Sequence, residues 1–468
     1  MTLSSRFDAI SPLDSRFYGG DAQLYAALHP YLSEEGRVRA QARAEAALAR
    51  ALAEEGIAPE AAAEAIAASA ERIGAAEVYA EEARIGHDVR ALVNLIRAKV
   101  PEDARRFVHL GATSMDVVDT ANAWRYREAV DRVLLPRLGL LASRLIALAE
   151  GEADTSQAGR THGQHAVPIT FGFAVAEYVS RLGNRILFLR WAAHSLPGKL
   201  SGAVGAYNAP SLLTKDPRAL ERRYLAHLGL VPASHSTQIV EPEAWSDLAH
   251  ACVTALGVMA NLADDMRHLQ RTEIAEIAEG FRADQVGSST MPQKRNPVSF
   301  ENVKSMWKAF MPRVITTYLD QISEHQRDLT NSASQRFSGE LIAATAYAAT
   351  RLGASIDGIH IDRDRMKANV GLSKGSIIAE ALYVLLAKHG HPDAHEAVRR
   401  LTLEAEQSGR PVLELAALDP DLRSILASLS ADERRVLDQP EEYRGLAGDV
   451  ARDVAKLWRE RLAGVLPE

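Results

Sequence analysis

Apolar positions recur at helical spacing through most of this chain. Between residues 33 and 75, Ala and Leu alternate with Glu and Arg at three- and four-residue intervals, and the pattern breaks from Gly56 to Pro59. Positions three and four apart share one helix face, so the segment predicts two helices joined by a short turn. From about residue 115 the periodic stretches lengthen, and 128–151, 168–195, 243–279, 298–325 and 333–357 each predict a long helix. The stretch from Glu243 to Gly280 lacks proline. If wholly helical it spans on the order of 55 Å at about 1.5 Å per residue.

The alternation that a half-buried strand requires is almost absent, which makes the expected fold class all-α, with a central bundle of long helices. Residues 168–195 and 243–263 are apolar around more of their circumference than a surface helix needs. Such helices pack on every side, and helices of other subunits are the natural neighbours. Beyond Gly358 the periodic stretches shorten, with turn residues in GHPDA (390–394), SGRP (408–411) and LDQPEEYRG (437–445). The expected organisation is three helical domains: 1–114, 115–360 as the long-helix bundle, and 361–468.

Composition narrows the functional classes. With 47% apolar and 25% charged residues the chain is that of an ordinary soluble protein. No apolar run approaches the roughly 18–20 residues that cross a bilayer, so no membrane partner is expected. The opening MTLSSRFDAISPLDSRF shows neither a basic segment before an apolar stretch nor an Arg-rich amphipathic pattern, and the expected location is cytoplasmic. Cys252 is the single cysteine, which rules out an intrachain disulfide and a thiolate metal cluster; its apolar surroundings read as core. A net charge of -7 argues against nucleic acid as a partner, since neutralising phosphates needs a basic face. It leaves open a local basic pocket for one small anion.

The least helical stretch lies mid-chain. GSSTMPQKRNP (287–297) belongs to a segment from about Gly280 to Pro297 with no periodicity, and polar loops of that length are uncommon unless functional or disordered. Gly287 and the hydroxyl residues after it let backbone N–H groups approach an anion, and Lys294 and Arg295 add positive charge. A solvated connector is the plain alternative. A phosphate-binding P-loop is excluded, because no glycine immediately precedes the lysine.

A second cluster is GRTHGQHAVPITFG (159–172), with His162 near the mouth of the helix expected from Pro168. His162 and His165 lie three apart, but no third ligand is near in sequence, so no metal is expected. A histidine near neutrality suits general acid or base work, and a capping or core role is the alternative. RIGHDVRALV (84–93) presents His87 and Asp88, which read equally as a surface pair. VHLGATSMDVVDTAN (108–122) places Thr113 and Ser114 as a carboxylate cradle or as an ordinary helix cap before Asp116. HQRDLTNSASQR (325–336) offers Arg327, Ser332 and Arg336, able to clamp a phosphate or simply to solvate a helix junction.

GSSTMPQKRNP resembles the mobile-loop motif of the fumarase and aspartase superfamily, helical tetramers that eliminate fumarate from succinyl-type substrates. TSMD, GRTHGQHAVPITFG, SGAVGAY (201–207) and STQIV (236–240) narrow the resemblance to the adenylosuccinate lyase family, and LSSRFDAISPLDSRF is similar to that family's amino-terminal segment. The likeness runs from near residue 3 to about 340, with a looser helical match beyond.

The resemblance implies a homotetramer, with sites shared between subunits, that needs no cofactor. It would release fumarate from a small nucleotide substrate, adenylosuccinate, and from the succinocarboxamide ribotide SAICAR of purine synthesis. It assigns Ser288 as the base, His162 as the acid, Glu301 as the carboxylate that orients the histidine, and Lys294 with Asn296 as stabilisers of the developing charge. His87, Asp88, Thr113, Ser114, Gln238, Ser289 and Asn302 match substrate-binding positions, and Arg16, Arg327, Ser332 and Arg336 match phosphate and ribose contacts. His109 matches a supporting histidine.

The family's usual Arg-Tyr is Arg16-Phe17 here, so a phenolic hydroxyl is absent unless Tyr18 supplies it. EPEAWSDLAH after Gln238 also departs from the commoner pattern. Argininosuccinate lyase, carboxymuconate cycloisomerase and a helical scaffold without catalysis are the competing readings. The arginines at 16, 327 and 336 discriminate among the enzymes, since the first two rivals need no phosphate clamp.

Overall fold

Ser33 starts a 21-residue helix, Glu34–Glu54: its Oγ accepts the Gly36 N–H at 2.9 Å, and Glu34 and Glu35 follow in the first turn. A cap hydroxyl and early carboxylates satisfy the free N–H groups at the positive end of a helix. Gly56 at φ 70° and Pro59 then turn the chain into Glu60–Ala70, so the hairpin expected for 33–75 is present. This computed structural model describes residues 11–282, 284–373 and 375–465. Residues 1–10 of MTLSSRFDAISPLDSRF, the segment read for targeting, and Ala283 of the central loop lie outside the described residues.

The chain folds into two compact units, each assembled from three separate stretches of sequence. The first comprises Met1–Leu138, Asn184–Gly257 and Ser305–Thr350. Within it Glu34–Glu54 packs on Glu60–Ala70, Ser114–Ala129 and Pro217–Ala226. Alanines such as Ala44, Ala47 and Ala51 let the helix axes approach, and Leu48, Leu52, Ile66, Leu92 and Ile96 fill the core between them. Cys252 is buried here as expected of a core residue, and burial pushes its thiol pKa up to about 12.

The second unit comprises Gly139–Gly183, Val258–Lys304 and Arg351–Glu468. Its carboxy-terminal helices, among them Arg363–Val370, Ala379–Lys388, Ala394–Ser408 and Val412–Leu418, enclose Val370, Leu382, Leu386, Val398, Leu401, Val412, Leu415 and Leu422. Gly409, at φ 71°, ends one of these helices where SGRP marks a turn.

The all-α class holds, with small sheets added, and several expected boundaries move. The helix expected over 128–151 starts at Ser114 and runs through a π-turn, Val130–Leu134, into Leu135–Gly151. The helix expected from Pro168 begins only at Phe171. Before it, Ser156–Thr161 and Gln164–Thr170 form an antiparallel hairpin, because HGQ supplies a turn and the flanking residues pair. The helix expected over 243–279 stops at Leu269, and Ile277–Ala278 pairs with His360–Ile361. That over 298–325 splits into Val298–Phe310 and Arg313–Leu319, since Pro312 has no N–H to continue the ladder. That over 333–357 becomes α-helical only at Ser338, after a 3₁₀ turn. Among the described residues no single helix is long and apolar enough to cross a membrane.

Candidate active site

In the second unit the loop 280–297 is held at both ends. Gln270 Oε1 accepts the Glu279 N–H at 2.8 Å, and the Glu279 carboxylate caps Val298–Phe310 by accepting the N–H groups of Ser299 and Phe300. Between these anchors the chain folds back on itself. Asn296 Nδ2 donates to the Gly287 carbonyl at 3.0 Å, and a Cβ built on Gly287 would overlap the Lys294 carbonyl oxygen. Only glycine fits there.

The half-buried Ser288 sits inside this fold. Its Oγ accepts backbone N–H groups from Met291 at 3.1 Å and Thr290 at 3.4 Å. Two donors aimed at one hydroxyl oxygen favour negative charge on it. Met291 to Lys294 forms a turn, with the Lys294 N–H bonded to the Met291 carbonyl at 3.0 Å and Pro292 within it. The two adjacent cations differ. Arg295 lies over the Phe281 ring at 5.1 Å and its carbonyl accepts from Gln270, whereas the Lys294 ammonium pairs with no carboxylate among the described residues. Ser289 is exposed, and the Asn302 Oδ1 is buried with no partner among the described residues.

His162 occupies the tip of the hairpin. With φ 54° at His162 and 74° at Gly163, both central residues of the two-residue turn are left-handed, as the twist of paired strands favours. The tip is solvent-exposed, and neither His162 nor the Glu301 carboxylate has a hydrogen-bond partner among the described residues. Below the tip Arg160 faces His165 across the strands. Burial, then the Arg160 charge, holds the His165 pKa below its ordinary value.

The sequence offered no sign of what holds the hairpin. The Glu276 carboxylate is fully buried and takes Arg160 Nη2 at 2.5 Å, Arg160 Nη1 at 3.2 Å, Gln157 Nε2 at 2.8 Å and Asn369 Nδ2 at 2.8 Å. These partners lie 93 to 119 positions from Glu276 in sequence, so only folding reveals them.

The first unit carries the remaining expected residues. Thr113 caps Ser114–Ala129 and donates its N–H to Asp116 Oδ2 at 2.8 Å. Asp116 is wholly buried, forms an ion pair with Lys199, and accepts the Ser201 N–H at 3.1 Å. TSMD and SGAVGAY are thereby tied together. His87 caps Asp88–Lys99, its Nδ1 accepting the Arg90 N–H at 3.2 Å, and Asp88 Oδ1 accepts the Val89 N–H. The His109 Nδ1 lies 2.6 Å from Glu45 Oε1. Burial disfavours its charged ring, yet the Glu45 carboxylate more than offsets this and raises the pKa.

STQIV meets HQRDLT through the Gln238 N–H, which donates to the Gln326 carbonyl at 3.2 Å. Arg327 Nη1 donates to Asn331 at 2.9 Å, while its Nε is buried without a partner among the described residues. Arg336 lies 3.7 Å from Glu34, and Ser332 is exposed. Arg16 is exposed just after the short helix Pro12–Ser15. Phe17 packs edge-on against Tyr347 at 5.5 Å, and the Tyr18 hydroxyl donates to Asp14 at 2.7 Å. Tyr18 is therefore engaged locally.

The chain as a whole is similar to known proteins. Residues 16–311 match the family model described as lyase, and residues 323–431 match adenylosuccinate lyase C-terminal. The adenylosuccinate lyase of Pyrococcus horikoshii is 34% identical over 97% of this chain and 98% of its own. That of Archaeoglobus fulgidus is 31% identical over 92% and 96%. The crystal structure of a 3-carboxy-cis,cis-muconate lactonizing enzyme from Pseudomonas putida superposes with a TM-score of 0.83 at 27% identity, covering 96% of this chain and 100% of that one.

Proposed function

The chain belongs to the adenylosuccinate lyase family of the fumarase and aspartase superfamily, and on that premise we propose that it releases fumarate from adenylosuccinate, giving AMP, and from SAICAR, giving AICAR. It is a lyase. The observation that carries the proposed chemistry is the pair of backbone N–H groups on Ser288 Oγ. A serine hydroxyl is a poor base, and donors already in place lower the cost of forming its alkoxide.

In this reading Ser288 as alkoxide takes the proton from the succinyl methylene. The electron pair moves onto the adjacent carboxylate, where Lys294, Asn296 and the loop N–H groups face the added charge. The carbon–nitrogen bond then breaks, the carbon–carbon double bond forms, and His162 delivers its proton to the leaving nitrogen. Glu301 orients the imidazole. His87, Asp88, Thr113, Ser114, Gln238, Ser289 and Asn302 hold the succinyl and base portions. Arg16, Phe17, Arg327, Ser332 and Arg336 hold ribose and phosphate.

We also propose a cytoplasmic homotetramer whose sites draw residues from several subunits, and the functional division 1–114, 115–360 and 361–468. The side chains of His162 and Glu301, without hydrogen-bond partners among the described residues, support a shared site. Incubating the purified protein with adenylosuccinate and measuring fumarate tests the activity; absence of fumarate from folded protein overturns it. Mixing Ser288→Ala with His162→Gln subunits tests the sharing. Returned activity supports it, and none after verified subunit exchange rejects it.

A further inference from the structure

Glu276 and Arg160 are absent from the residues assigned above, yet they form the most completely bonded polar cluster beneath a proposed catalytic group. The carboxylate is fully buried and accepts four hydrogen bonds from Arg160, Gln157 and Asn369. Gln157 and Arg160 belong to the first strand of the hairpin, and Arg160 lies two positions before His162. Between them the register shifts at Gly159, whose missing side chain lets the Val167 carbonyl approach. Ala275, just before Glu276, has φ 52°, a costly conformation for a residue with a side chain. His162 itself is left-handed at φ 54°. The left-handed turn at the tip is set by the paired strands below it, so whatever fixes the first strand also fixes the tip.

We propose that Glu276, acting through Arg160, is a positioning residue for proton delivery by His162. The forked guanidinium and the carboxylate fix the rotation of the strand that ends in the tip, and so fix where the imidazole stands. The inference rests on His162 being the acid. A displacement near 1 Å at such a group lowers turnover by about 100-fold.

The test uses two substrates: adenylosuccinate, whose nitrogen must be protonated as it leaves, and its analogue with sulfur as the bridging atom, whose thiolate leaves without a proton. Glu276→Gln and Arg160→Lys are measured in the intact protein beside His162→Gln, with circular dichroism confirming the fold. Arg160→Lys keeps the charge and loses only the fork, so it remains informative should Glu276→Gln not fold. The expected result is a fall in kcat of about 10- to 100-fold on adenylosuccinate, little change in KM, and a much smaller loss on the sulfur analogue, in the pattern of His162→Gln. Equal losses on both substrates for the Glu276 and Arg160 variants, with His162→Gln alone sparing the analogue, overturn the positioning role. Equal losses for His162→Gln as well overturn the acid assignment and the inference with it.

Discussion

The hydroxyl oxygen of Ser288 accepts the backbone N–H of Met291 at 3.1 Å. The loop has thus arranged its donors around the oxygen before any substrate arrives. Ser288→Ala removes the oxygen and leaves the backbone path unchanged. Turnover is expected to fall by about 100- to 10,000-fold while substrate binding is retained. Fumarate release and equilibrium binding, measured on the same preparation, check both halves; a near-normal rate removes Ser288 as the proton carrier.

Gly287 is pressed against the Lys294 carbonyl, with no room for a Cβ. Gly287→Ala forces the two arms of the loop apart and shifts Ser288 relative to Lys294. The expected loss in kcat is about 10- to 100-fold. Because the neighbouring loop residues are largely exposed, the thermal midpoint should hardly move.

Among the described residues the Arg336 guanidinium makes a long contact with Glu34, 3.7 Å between partly exposed groups, and such pairs add little stability. Arg336→Ala is therefore expected to unfold at nearly the native temperature. Its KM for adenylosuccinate should rise by about 10- to 100-fold, from loss of a charged hydrogen bond. A phosphate-free nucleoside analogue should show no comparable change. Equal losses on both would remove the clamp and favour a superfamily reaction without a phosphate.

Asp119 gives a pH signature. Burial raises its pKa to about 6, although the Val240 N–H and the Lys199 and Arg327 charges oppose the rise. A carboxyl with a raised folded pKa binds its proton more tightly when folded. Its stabilising contribution is whole below the unfolded value near 4 and disappears as pH climbs through about 6. Asp119→Asn keeps an oxygen for the Val240 N–H, which Asp119 Oδ2 now accepts at 3.0 Å. The variant should gain on the native protein by on the order of 2–3 kcal/mol between pH 4 and 7, with no further divergence above. Denaturant unfolding across that range checks it; a constant difference would place the proton elsewhere.

Helical class, the 33–75 hairpin and the non-helical character of 280–297 were legible in the sequence. Each depends on near neighbours: spacing on one face, a cap, a glycine or a proline. The motif residues of the candidate site were legible too, as types of side chain at fixed intervals. What lay beyond reach was long-range pairing. HGQ could end a turn or begin a helix, and only the register of 156–161 against 164–170 decided for a hairpin. Pro312 split one expected helix, and a short strand pairing at Ile277–Ala278 took over the end of another. Folding alone brought Glu276 to Arg160, Asp116 to Lys199 and Gln238 to Gln326. A buried charge must find its partner wherever the chain passes, and separation along the sequence does not specify that meeting.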